Sequence, residues 1–109
     1  MIHGQCLTVG VGGFLLKGGF NMLGGSARHG DGASHVVRYT MVDVDGDVVR
    51  VDADGATKFD LEGNEIDRVE ADRDNDLFFG LKVAGSSLGI VTEFLYKIYE
   101  EAGESYNRV

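Results

Sequence analysis

The sequence predicts one small α+β domain, an antiparallel or mixed sheet with one clear helix, spanning residues 1–109. Three observations predict it. Two β-rich runs flank Asp45-Gly46, Leu77, Phe78 and Leu81 fall at helical spacing, and an alternating apolar run follows Gly89. A chain of 109 residues can bury a single core and little more.

The opening, residues 4–21, sets Gly4, Gly10, Gly12, Gly13, Gly18 and Gly19 among Val9, Val11, Phe14, Leu15 and Leu16. Glycine weakens helix and strand interiors, so the run predicts a backbone that turns at positive φ or approaches something closely. The apolar residues between argue against a flexible linker. The expected element is a buried loop wrapped around a ligand, neither helix nor strand. Ser26-Ala27-Arg28-His29-Gly30-Asp31-Gly32 follows as a polar loop.

Val36-Val37-Arg38-Tyr39-Thr40-Met41-Val42 and Val48-Val49-Arg50-Val51 are rich in β-branched and aromatic residues, and the Asp45-Gly46 between them predicts a hairpin. Asp54-Gly55 and Glu62-Gly63-Asn64 repeat the turn chemistry around weaker strands at residues 57–61 and 65–69, without flanks that match as a repeat. Asp74-Asn75 offers a helix N-cap, residues 75–83 carry Leu77, Phe78 and Leu81 inward, and Gly85 is a stop. Residues 88–99 read as a long strand with Ile90, Thr92, Phe94, Tyr96 and Ile98 on one face. The mixed opposite face, Val91, Glu93, Leu95 and Lys97, predicts partial exposure or a sheet edge. The charged tail from Glu100 is expected to fray.

Composition narrows the function. A net charge of −8 argues against nucleic acid or an anionic membrane as partner, since both require basic surface. One cysteine excludes an internal disulfide and leaves the compartment unknown. No apolar run approaches a membrane span, and Met1-Ile2-His3-Gly4 lacks the basic start and apolar run of a secretory leader, so the chain reads as soluble.

Three blocks, taken in order, resemble the FAD-linked oxidoreductases of the vanillyl-alcohol oxidase and p-cresol methylhydroxylase superfamily, in particular the berberine-bridge-like and oligosaccharide oxidase branch. Gly4-Gln5-Cys6-Leu7-Thr8-Val9-Gly10, with Gly13-Phe14 and Lys17-Gly18-Gly19, is similar to the second flavin-binding half of that family. Asn75-Asp76-Leu77-Phe78-Phe79-Gly80-Leu81-Lys82 and Gly85-Ser86-Ser87-Leu88-Gly89-Ile90-Val91-Thr92 are similar to its two later blocks. Phe14 stands where the family often has histidine and Lys17 where it often has glycine. The resemblance implies the second subdomain of an FAD-binding domain of the p-cresol methylhydroxylase type, with residues 52–73 as an acidic, turn-rich insertion. Met1 falls in mid-motif, so the chain is expected to be a piece of a larger protein or one part of a split one.

By the same resemblance Cys6 matches a cysteine that bonds through sulfur to the flavin ring. Such a bond needs a thiolate, which the N–H groups of a glycine-rich turn favour. Taken alone, Cys6 reads as a small buried hydrophobe rather than a reactive group. Val9 matches a residue lying against the flavin that influences oxygen access, or else is a plain core valine. Gly10, Gly12, Gly13, Gly18 and Gly19 would let the backbone lie against the ring and ribityl chain, or else serve tight turns. Gly89, Ile90 and Val91 match the segment that meets the adenine end of FAD, or else simply start a strand. The implied cofactor is FAD, with Cys6 as the candidate for covalent attachment, when a complementary half is present, and otherwise none. Another chain or a missing domain is the expected partner.

No catalytic residue is nominated: one cysteine and three scattered histidines give no nucleophile–base pair, and the family's substrate domain has no counterpart here. Asp43-Val44-Asp45-Gly46-Asp47 fails as an EF-hand because Val48 stands where the loop requires glycine. His29 and His35 lack partners at zinc spacing, so no metal site is expected. Two functions compete. One is the flavin-binding portion of an oxidase of alcohol or sugar-like substrates; the other is a non-catalytic truncated homologue serving as a structural or interaction subunit.

Overall fold

The computed structural model describes residues 3–21, 30–70 and 76–98. Its centre is the expected hairpin. Strands β1 (Val36–Val42) and β2 (Val48–Asp52) pair antiparallel, Val42 opposite Val48 and Arg38 opposite Asp52. Gly46 turns the chain at φ +82°, a conformation that disfavours any side chain. Asp43 organises the turn: its carboxylate Oδ1 accepts the N–H groups of Asp45 and Asp47 at 2.9 and 3.0 Å.

Strands β3 (Gly55–Phe59) and β4 (Glu65–Glu70) extend the sheet. β3 starts and ends two residues before the expected 57–61, because Asp60 is drawn into the next turn. Its carboxylate accepts N–H groups from Glu62 and Asn64, both at 2.9 Å, while Gly63 sits at φ +90°. The Asp43 and Asp60 turns thus share one architecture, a repeat that the unmatched flanks conceal in the sequence.

The strand order is β4-β3-β2-β1-β5, antiparallel throughout. β5 (Ile90–Tyr96) is an edge strand, as the mixed pattern predicts, but its faces differ from the expected alternation. Thr40 pairs with Glu93 while Met41 pairs with Val91, so Thr92 is an extra residue and the parity flips there. Val91, Phe94 and Tyr96 consequently pack on the core, while Ile90 is left 72% exposed on the other side.

Helix α1 (Val11–Leu15) and helix α2 (Asp76–Ala84) supply the cover. Leu15, Leu16 and Leu81 join Val36, Tyr39, Met41, Val49 and Val51 in the buried core. The Tyr39 ring lies edge-on to Phe78 and Phe94, with centroids 5.8 and 5.7 Å away. Leu77, Phe78 and Leu81 face inward as their spacing predicts, and Phe79 on the opposite side is 71% exposed. α2 stops at a buried Gly85, where a side chain would collide with Leu16.

The N-cap pair Asp74-Asn75, most of the polar loop at 26–32, the end of the acidic stretch at 71–73 and the tail from Glu100 lie outside the described residues.

Candidate functional site

The glycine-rich opening is where the sequence places most of the candidate residues. Its structure corrects the expectation of a buried, non-helical loop. Gly12 and Gly13 lie inside α1, with Phe14 N–H donating to Gly10 O and Leu16 N–H to Gly12 O, both at 3.0 Å. Leu15 and Leu16 are buried and anchor this turn of helix on the core. That burial outweighs the helix penalty of the glycines, which is roughly 0.5–1 kcal/mol each. The segment before α1 is exposed rather than buried: Cys6, Leu7 and Val9 all face outward, as does Val11 at the start of the helix. Val9 is therefore no core valine, and Cys6 no buried hydrophobe.

The glycines divide into two groups. Gly18 and Gly19 are required by the chain itself. They sit at φ +93° and +71°, and a side chain on Gly19 would lie 2.7 Å from the Gly32 Cα. Gly18 N–H donates to Lys82 O at 2.8 Å, and Ala33 N–H to Gly18 O at 3.1 Å, so this corner is fastened to both α2 and the 3-10 turn at Gly32–His35. Gly10, Gly12 and Gly13 are different. None has positive φ, and among the described residues a side chain on any of them would meet nothing within 4 Å. The packing of the described residues gives no reason for glycine at these three positions.

Gly89, Ile90 and Val91 lie elsewhere. Gly89 is explained by the fold, because a Cβ there would come within 2.7 Å of Val42 O. Ile90 pairs with Val42, at the far end of β1 from the turn that Gly18 and Gly19 grip. Cys6, Val9, Gly10 and Gly13 are exposed and Gly12 is half-buried along one stretch of chain, while Gly89, Ile90 and Val91 lie at the start of β5.

Two features escape the sequence. The carboxylates of Asp43, Asp45 and Asp47 converge, and Lys58 Nζ sits among them at 2.8, 3.6 and 3.6 Å. The Lys58 ammonium holds the Asp43 carboxyl below the usual carboxylate range, with the turn N–H groups adding to the effect. The cluster is a clamp between the first turn and β3, with its positive charge supplied from within. Beside it, Met41, Val49, Ala56, Val69, Leu77 and Leu88 line an open groove of about 370 Å³, closed at its polar end by the same lysine. Strand alternation is the signal for both, since it puts Lys58 on the inner face opposite Val49. His35 is buried with its ring 6.0 Å from that of Tyr96; His29 lies outside the described residues.

No family model matches this chain, and no solved structure matches it. Curated proteins do. The chain is 31% identical over 100 residues, 92% of its length, to an FAD-linked oxidoreductase of Aspergillus terreus. It is 35% identical over 89 residues, 82% of its length, to a carbohydrate oxidase of Microdochium nivale. Its similarity is to FAD-linked oxidases. The chain spans 16% and 14% of the lengths of these two relatives, a small part of each. Among the described residues, no helix is long and apolar enough to cross a membrane.

Proposed function

We propose that this chain is the flavin-binding portion of an FAD-dependent oxidoreductase acting on alcohol or sugar-like substrates. In this reading it corresponds to the second half of an FAD-binding domain of the p-cresol methylhydroxylase type, in the berberine-bridge-like branch. The observation that carries the proposal is the set Gly10, Gly12 and Gly13. Glycine costs helix stability at two of these positions, and no contact among the described residues requires it at any of the three. Surface left bare in this way suits close approach of a flat ligand to the backbone. Cys6 and Val9, a few residues before α1, are exposed as well.

FAD, when bound, supplies the redox chemistry; the chain's own part is to hold and orient it. Gly10, Gly12 and Gly13 would face the ring and ribityl chain, with Cys6 beside the ring as the candidate for a sulfur-linked attachment. Gly89, Ile90 and Val91 would serve the adenine end. Gly18 and Gly19 act indirectly, by fixing the corner on which α1 stands.

A ligand held from one side stays largely wet, whereas tight cofactor sites bury most of theirs. A second polypeptide segment must therefore complete the site. The decisive experiment titrates FAD into the isolated chain, and into the chain together with the complementary part of the parent flavoprotein, following flavin fluorescence. The proposal expects weak or undetectable binding by the chain alone and tight binding by the pair. Failure of the pair to bind FAD favours the second reading, a non-catalytic homologue in which the exposed Leu7, Val11 and Phe20 serve as an interface.

A further inference from the structure

We propose that the open edge of β5 is a docking surface for a second copy of this chain, with the two β5 strands pairing antiparallel about a dyad at Leu95. Among the described residues the sheet has two edges, and they are finished differently. β4 presents Glu65, Asp67, Arg68 and Glu70 in an exposed six-residue strand, a charge density that discourages strand addition. β5 carries a single charged residue, Glu93, in seven. Leu95 and Ile90 are 46% and 72% exposed on it, and Ile98 just beyond is 68% exposed. Among the described residues β5 has a neighbouring strand, β1, on one side only. The irregularities in that pairing fall at Thr92 and at Val37 of β1, so residues 93–96 run without an insertion on β5 itself.

The order of side chains selects the occupant. A dyad at Leu95 sets Glu93 against Lys97 of the second copy, Phe94 against its Tyr96, and Leu95 against Leu95. Opposite charges and aromatic pairs directly across an antiparallel pair are stabilising. A dyad at Phe94 would instead set Glu93 against leucine, and a dyad at Tyr96 would set Lys97 against leucine. Charge complementarity therefore favours one register, and that register also covers the exposed Leu95. This inference uses sheet topology and residue order alone, and does not depend on the flavin reading.

The test is sedimentation equilibrium of the 109-residue chain over a wide concentration range, with circular dichroism confirming the sheet in every sample. Wild type should dimerise in a concentration-dependent way. Glu93→Lys and Lys97→Glu should each weaken the dimer about tenfold or more, because each makes two attractive contacts repulsive. An equimolar mixture of the two variants should restore association, since the lysine pair of one then faces the glutamate pair of the other. Because Glu93 also lies 3.7 Å from Arg38 and 3.4 Å from Thr40 Oγ1, Leu95→Lys provides a second disruption that leaves those contacts in place. A wild type that stays monomeric, single variants that dimerise like wild type, or a mixture that does not recover would each overturn the proposal.

Discussion

Replacing Gly12 and Gly13 by alanine should make the chain more stable while impairing the proposed flavin site. Both residues lie inside α1, neither has positive φ, and among the described residues an added Cβ meets nothing within 4 Å at either. Alanine is favoured over glycine in a helix by roughly 0.5–1 kcal/mol per position, through both helix propensity and a less disordered unfolded chain. The double variant should therefore gain about 1–2 kcal/mol. In a domain of this size that raises the melting temperature by roughly 4–16 °C. Gly19→Ala is the contrasting control. Its φ of +71° and the Gly32 Cα at 2.7 Å leave a Cβ no room, and backbone cannot yield as a side-chain tip can, so this variant should lose stability. Urea titrations followed by far-ultraviolet circular dichroism measure all three. Loss of stability in Gly12→Ala/Gly13→Ala would refute the reasoning, because it would mean that the chain itself requires bare backbone at α1.

Leu81 is fully buried beneath the sheet, so Leu81→Ala should cost about 2–5 kcal/mol, whereas Phe79→Ala on the exposed side of α2 should stay within about 0.5 kcal/mol; equal effects in urea titrations would mean that the helix face is misassigned. The Tyr39 hydroxyl is buried without a hydrogen-bond partner among the described residues, and burial pushes its pKa up to about 12. Tyr39→Phe should therefore be neutral or stabilising by about 1 kcal/mol near neutral pH, and a large loss would reveal a partner for the hydroxyl. Asp43 and Asp60 are both held below the ordinary carboxylate range, Asp43 chiefly by Lys58 and Asp60 chiefly by the Asn64 N–H. A depressed folded-state value gives stability above the unfolded carboxyl value of about 4 and loses it as pH falls through the lower folded value. Stability should accordingly decline below about pH 4, and Lys58→Met should soften that decline; an unchanged acid limb would contradict the clamp.

The hairpin at Asp45-Gly46 and the inward face of α2 were legible because each rests on local chemistry, a turn dipeptide in one case and helical spacing in the other. The edge position of β5 was legible from its mixed outer face. Its side-chain parity was not, since the bulge at Thr92 arises from pairing with β1, which period-two counting along one strand cannot register. The helix at Val11–Leu15 was hidden for a related reason. Intrinsic propensity argues against a helix through Gly12-Gly13, and the burial of Leu15 and Leu16 overrides it. The Lys58 clamp needed the third strand in register before the three aspartates and the lysine could be seen to meet. Of the candidate site, the cluster from Cys6 to Gly13 was legible from glycine content and motif order. The separate, fold-imposed reasons for Gly19 and Gly89 required coordinates.

The most direct test of the central claim is the visible absorption spectrum of this chain assembled with the complementary flavoprotein part proposed above, wild type beside a Gly10→Leu/Gly13→Leu variant. The account predicts a flavin spectrum in the wild type, and its loss in the variant with the sheet retained by circular dichroism. A colourless wild type, or a variant that keeps its flavin undiminished, would contradict it.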